Sequence, residues 1–275
     1  MAHPQIAAFA RLAKENTPPN RLLAGQDTLL SRTMHDIRHD PVNDELLVTN
    51  PFARAVLVFR GGADGNEAPI RIIQGSNTLI GNVDRLDVDA VHDEIFIADG
   101  DHVLVFPREA NGNVAPIRVI KGPDTQLGRE GTLAVDPVNN VIVVAEDTVR
   151  AGSTETSRMK IFNRTDNGNV KPRGIIGGPN TLIIRINQLQ MYPPKGWIIA
   201  TNPGHIDMQH PEGVFIGVWH ITDNGDVPPR FRIGGGPKAV MVKPRGVAID
   251  PKHKELLVAD MRLNSILTYY FPEIF

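Results

Sequence analysis

The sequence predicts an all-β fold, a five-bladed β-propeller of four-stranded antiparallel blades. Three observations predict it. One string recurs down the 275 residues, as PIRIIQG at 69–75, PIRVIKG at 116–122, PRGIIGG at 172–178 and PRFRIGG at 229–235. An aromatic residue stands ten positions before each leading proline: Phe59, Phe106, Phe162 and Trp219. Six positions after each aromatic comes a glycine, Gly65, Gly112, Gly168 or Gly225, inside DGN, NGN, NGN and NGD. A fixed cycle with drifting letters marks a repeat architecture. Asn-Gly and Asp-Gly supply the positive φ of tight hairpin turns.

Each unit holds a second hairpin before the aromatic, visible in DPVNDELLVTN, DAVHDEIFIAD, DPVNNVIVVAE, YPPKGWIIATN and DPKHKELLVAD. These apolar runs are short, rich in Val and Ile and bounded by Pro, Asn and Asp, which is strand chemistry rather than helix chemistry. One unit is therefore four strands: a through 37, 86, 133, 189 and 247, b through 47, 96, 143, 199 and 257, c at the aromatic and d at the proline string. Four-stranded units of roughly 45 to 60 residues without intervening helices indicate a propeller. A β-sandwich is the rival, but sandwiches seldom repeat in sequence.

The ends need separate treatment. The last unit stops after strand c, SILTYYF at 265–271, whereas Pro19 to Gly25 (PNRLLAG) matches the proline string with no a or b strand before it. This segment is expected to supply the outer strand of the last blade and close the ring. Residues 1–18 form an N-terminal extension. Phe9 keeps the ten-residue spacing to Pro19, but Glu15 replaces the hairpin glycine, so IAAFARLAKEN reads as a short helix, with a sixth, partial blade as the alternative. Residues 1–275 are thus expected to form a single propeller domain.

A hydrophobic content of 41% suits one soluble core. The formal charge of −2 gives no electrostatic reason to expect nucleic acid or an anionic membrane as partner. No run approaches the roughly 18 apolar residues of a membrane span. The N-terminus lacks the basic start, apolar stretch and cleavage site of a signal peptide, so the chain as written is expected in the cytoplasm. Cysteine is absent, which excludes disulfides.

The strings LLVTN, IFIAD, IIATN and LLVAD resemble the second-strand signatures of bacterial NHL and YVTN-type propeller repeats, over about Pro19 to Phe271. The resemblance implies a propeller. Families of this type include interaction platforms, sensor domains, lactonases and lyases, so the fold does not choose among them. The zinc-binding lyases of this type draw histidines from several blades onto the channel axis. Only His35 and His102 stand at element starts that match, and the ligand set does not carry over.

Chain direction puts the b-to-c and d-to-a connections on one face and the short a-to-b and c-to-d turns on the other. The b-to-c loops EDTVRAGSTETSR and NPGHIDMQHPEG are far longer than NPFARA and GDH, so the first face is the expected site, at the mouth of the central channel. Asn50, Asp99, Glu146, Asn202 and Asp260 end the b strands there, either as a ligand- or metal-binding collar or as strand-terminating caps. Strand a opens with His35 and Asp36, Asp84 and Arg85, Gly131 and Thr132, Asn187 and Gln188, Arg245 and Gly246. Unlike groups in equivalent places indicate an asymmetric site.

From these come the expected ligand-binding residues, namely Asp36, Asn50, Arg85, Asp99, Glu146, Gln188, Asn202, Arg245 and Asp260. His35, His205 and His210 are the catalytic candidates, and His35 and His102 the candidates to hold a divalent metal. His92 and His253 are expected to be solvated in a-to-b turns, and His39 to be packed between blades. GGGPK at 234–238 lacks the Gly-Lys-Ser/Thr of a phosphate loop, and no G-x-S-x-G elbow exists. Two functions remain: a propeller binding a small molecule or a protein, or a lyase or hydrolase with a His/carboxylate site. The sequence leaves the oligomeric state open.

Overall fold

A computed structural model describes residues 4–32, 34–128, 130–146, 156–204, 213–236 and 238–275. The fold is all-β, a five-bladed β-propeller, and the described residues contain short 3-10 turns but no α-helix. The strands run β1 (Gln5–Ala8), β2 (Arg21–Ala24), then β3 (Ile37–Asp40), β4 (Glu45–Asn50), β5 (Ala55–Arg60) and β6 (Arg71–Gln74). The second blade has β7 (Arg85–Asp89), β8 (Glu94–Asp99), β9 (His102–Pro107) and β10 (Arg118–Lys121). The third has β11 (Glu130–Asp136), β12 (Val141–Glu146), β13 (Met159–Asn163) and β14 (Gly174–Ile176). The fourth has β15 (Leu189–Tyr192), β16 (Trp197–Pro203), β17 (Val214–His220) and β18 (Phe231–Gly234), and the fifth β19 (Pro244–Asp250), β20 (Glu255–Asp260) and β21 (Ser265–Tyr270). Four sheets have four strands in chain order, the sheet of β19, β20 and β21 has three, and β1 and β2 form a two-stranded sheet of their own.

The chain divides into two compact units, residues 1–97 with 104–117 and residues 98–103 with 118–275. In the first, Leu23, Val48, Leu57, Phe59 and Ala63 form a buried cluster with Ile6, Leu30 and Ile72 packed on it. In the second, one cluster gathers Val143, Ile161, Ile176, Phe215 and Trp219, and another gathers Ile199, Val218, Val247, Leu256 and Ile274. The strand-c aromatics Phe59, Phe106, Phe162 and Trp219 are all fully buried.

The N-terminal segment departs from expectation twice. Residues 5–8 are a strand, not part of a helix, and Arg21–Ala24 pairs with them rather than with Ser265–Tyr270. The cause is that this segment is itself a c-to-d hairpin. Ala8 faces Arg21 and Ala7 faces Leu22, the register in which Val58 faces Arg71 and Leu57 faces Ile72. Glu15 takes φ 53°, close to the 63° of Gly65 at the equivalent turn position. A non-glycine residue there is costly but accessible.

The c-to-d turns do more than reverse the chain. The residue before each glycine accepts a backbone N–H from the preceding d strand: Asp64 from Leu22 at 2.8 Å, Asn111 from Ile72 at 3.1 Å, Asn167 from Val119 at 2.9 Å and Asn224 from Ile175 at 2.9 Å. The residue after the glycine accepts from the following connector: Asn66 from Asp27 at 2.9 Å, Asn113 from Asn77 at 2.7 Å, Asn169 from Asp124 at 2.8 Å and Asp226 from Asn180 at 2.7 Å. The glycines themselves bridge in parallel to Leu23, Ile73, Ile120 and Ile176. Each such turn is a latch onto the repeat before it. It demands Gly at the connector start: Gly75 has φ 133°, and an added Cβ would lie 2.4 Å from Asn113 Oδ1.

Candidate functional site

The strand-a openings of the first two repeats converge. His35 Nδ1 contacts Asp84 Oδ1 directly, and Arg85 Nη1 lies 3.2 Å from the same oxygen. The His35 side chain is 46% exposed, which leaves its imidazole open to solvent. Asp36 is buried: its Oδ2 accepts the Leu86 N–H at 3.2 Å and lies 3.6 Å from Arg38 Nε, which also lies 3.6 Å from Asp87 Oδ1. Burial acts to lower the Arg38 pKa, but Asp87 and Asp36 outweigh it and hold the guanidinium above its ordinary value. Gln188, at the place of Asp36, likewise accepts the Val247 N–H at 2.7 Å. Both side chains therefore stitch one a strand to the next. Arg245, the second residue of β19, is half-buried.

The collar divides in the same way. Asn50 Oδ1 accepts from Ser31 Oγ at 2.9 Å while its amide donates to Leu29 O at 3.2 Å. Asn202 accepts the Ile184 and Arg185 N–H groups and donates to Leu182 O. Asp260 accepts four backbone N–H groups, from Val242, Lys243, Arg262 and Leu263, at 2.7 to 3.1 Å. These three fasten connectors to the b strands. Apart from the Ser31 hydroxyl on Asn50, their named partners are backbone groups, as expected of strand-ending caps.

Glu146 differs. It sits directly across from Glu130 in the β11–β12 register, two carboxylates face to face. Between them stands Lys160, fully buried, its Nζ in contact with Glu130 Oε1 and 3.0 Å from Glu146 Oε1. Arg158 Nη2 lies 3.9 Å from the same Glu146 oxygen. The Glu146 side chain is 25% exposed and Arg158 45%, so the cluster opens outward from a dry interior. Lys160 occupies the position two before the aromatic, where Leu57, Leu104 and Leu267 stand elsewhere. Sequence reasoning missed Lys160 and Glu130, although a lysine in a register that holds leucine in three blades and Gly217 in the fourth was the available signal.

The two metal candidates are each committed to their own acid. His102 Nδ1 donates to Asp101 Oδ1 at 2.7 Å, with Lys121 Nζ 3.2 Å from that oxygen and Asp99 Oδ2 4.0 Å from His102 Nε2. Hydrogen bonds from His102 and Lys121 hold the Asp101 carboxyl below its ordinary pKa. His35 is taken by Asp84. His205 and His210 lie outside the described residues. A His/carboxylate trio with ligand atoms within 4.8 Å does occur, Asp250, His253 and Glu255, but in an a-to-b turn on the opposite face from the one expected. There His253 Nδ1 donates to Asp250 at 2.6 Å, as His92 does to Asp89 at 2.7 Å. Asn43 and Asn139 make the same bond to Asp40 and Asp136, each at 2.8 Å. The trio is a turn motif in which histidine replaces asparagine. His92 and His253 are thus bonded rather than merely solvated, and His39 is exposed, 3.7 Å from Asp44, rather than packed between blades.

No family model and no curated protein matches the chain.

Proposed function

We propose that this chain is a binding propeller that takes a small polar ligand at the b-to-c end of its third blade, where Glu146 and Arg158 reach solvent in front of Lys160. The observation that carries this reading is the buried Lys160 at a position where leucine serves other blades. A buried ion pair gains little stability over packed apolar side chains, so stability does not account for it. It fixes the Glu146 carboxylate at the rim. Carboxylate and guanidinium side by side suit a ligand with both a donor and an acceptor, such as an amino or hydroxy acid. The test is a thermal-shift screen of the chain and its Glu146→Gln variant against amines, carboxylic acids and amino acids. A compound that raises Tm only in the native chain supports the reading, and uniform shifts or none refute it.

A second reading, a lyase or hydrolase, is favoured by the His35–Asp84 pair. An aspartate on Nδ1 fixes the tautomer and leaves Nε2 as a general base, the arrangement that acid–base chemistry requires. Arg85 beside it is suited to holding an anionic group. Assay of lactone and ester panels with His35→Ala as control tests it, since loss of turnover in that variant is required.

A further inference from the structure

A cavity of about 340 Å³ opens beside the first blade, lined by Leu29, Leu30, Ala55, Leu57 and Ile72, with Asn50 and Gln74 at its polar edge. No charged side chain lines it. Asn50 is committed through its bonds to Leu29 and Ser31, and Gln74 Nε2 donates to Ala53 O at 2.7 Å. That leaves the Gln74 carbonyl oxygen as the acceptor at the edge.

The repeat itself indicates what belongs there. Ala55 stands four positions before its strand-c aromatic, and the same position holds His102, Arg158 and Phe215 in the next three units and Ser265 in the fifth. The first and second units otherwise agree in size at this place, with Leu57 against Leu104, Ile72 against Val119 and Leu30 against Ile80. The differences are the change from a ring to a methyl group, Gln74 in place of Lys121, and a b-to-c loop two residues longer that brings Ala53 to the cavity. In the fourth unit Phe215 is fully buried in one cluster with Ile183, which stands where Leu30 does. An apolar cavity of about 150 Å³ suffices for benzene, so this one has room for a bicyclic ring and falls within the range of small-ligand pockets.

We infer that this cavity is a binding site for a neutral ring compound carrying one hydrogen-bond donor, of the phenol or indole class, separate from the polar site on the third blade. The ring takes the place that Phe215 takes in the fourth unit, and its donor meets Gln74. Isothermal titration of the full chain with indole and with phenol tests it, with benzoate as the charged comparison. Saturable binding of indole or phenol, at least tenfold tighter than benzoate, is expected, and Ala55→Phe is expected to weaken it at least tenfold while Glu146→Gln leaves it unchanged. If Ala55→Phe does not fold, Ala55→Leu replaces it. No saturable binding at millimolar indole or phenol overturns the inference, as does unchanged affinity in a folded Ala55 variant.

Discussion

Lys160 Nζ lies 3.0 Å from Glu146 Oε1 and also contacts Glu130, so one buried ammonium holds two carboxylates that face each other across β11 and β12. Removing the cation takes from the buried Glu130 carboxylate the ammonium that faces it. Lys160→Ala is therefore expected to cost about 3–5 kcal/mol in urea unfolding. The double variant Lys160→Leu, Glu130→Gln is expected to recover most of that loss, because leucine already fills this register in other blades. Recovery of stability without recovery of ligand binding separates the functional role from the structural one.

The latch turns make a sharper case. Asn113 and Asn169 occupy equivalent places, but Asn113 faces Asn77 whereas Asn169 donates to Asp124 at 3.1 Å. The fourth unit uses Asp226 against Asn180 with bonds of 2.7 and 3.0 Å. Asn113→Asp reproduces that pair and is expected to be nearly neutral. Asn169→Asp sets two carboxylates together and is expected to destabilise, and Asn113→Ala to cost about 1–2 kcal/mol. Thermal unfolding of the three variants checks the order.

These residues also mark how far the sequence could be read. Strand order and hairpin turns were legible because period-2 apolar runs and Asn-Gly turns are local signals. The latch was hidden in the same letters, since a turn asparagine looks identical whether its side chain bonds its own hairpin or the preceding repeat. The second strand of the N-terminal hairpin is legible in PNRLLAG, but the first reads as a helix, with a partial blade as the alternative, because Glu15 adopts a backbone angle that glycine usually marks. Asn50, Asn202 and Asp260 were legible as strand ends, and the cap reading of them accounts for their contacts. Lys160 was missed because a lone lysine carries no motif. Only the comparison of register positions gives it meaning.

The His253 turn permits a direct test of its histidine. Asn43 and Asn139 bond Asp40 and Asp136 as His253 bonds Asp250. His253→Asn should then stay within about 0.5 kcal/mol of the native chain, as expected where the local bond is kept, while His253→Ala should lose about 1 kcal/mol. Added zinc should shift neither Tm. A zinc-dependent rise in the native chain that is absent in His253→Asn would mean that the trio is a metal site rather than a turn.

Asp223 ties its hairpin to acid stability. Burial pushes its pKa up, but the hydrogen bond from Arg230 and the His220 N–H at 2.8 Å outweigh that and hold it below the ordinary 3.8. A group whose pKa is lower in the folded chain contributes stability above its unfolded value, and that contribution is lost as pH falls through the folded one. Asp223→Asn is thus expected to be less stable than the native chain at pH 7, with the difference shrinking below about pH 4. Arg230 also stands 5.8 Å over the Trp197 ring. Protonation that frees Arg230 should change Trp197 emission in the same pH range in the native chain but not in Asp223→Asn. A gap in stability that persists at pH 2 would place the contribution of Asp223 in the shape of the turn rather than in its charge.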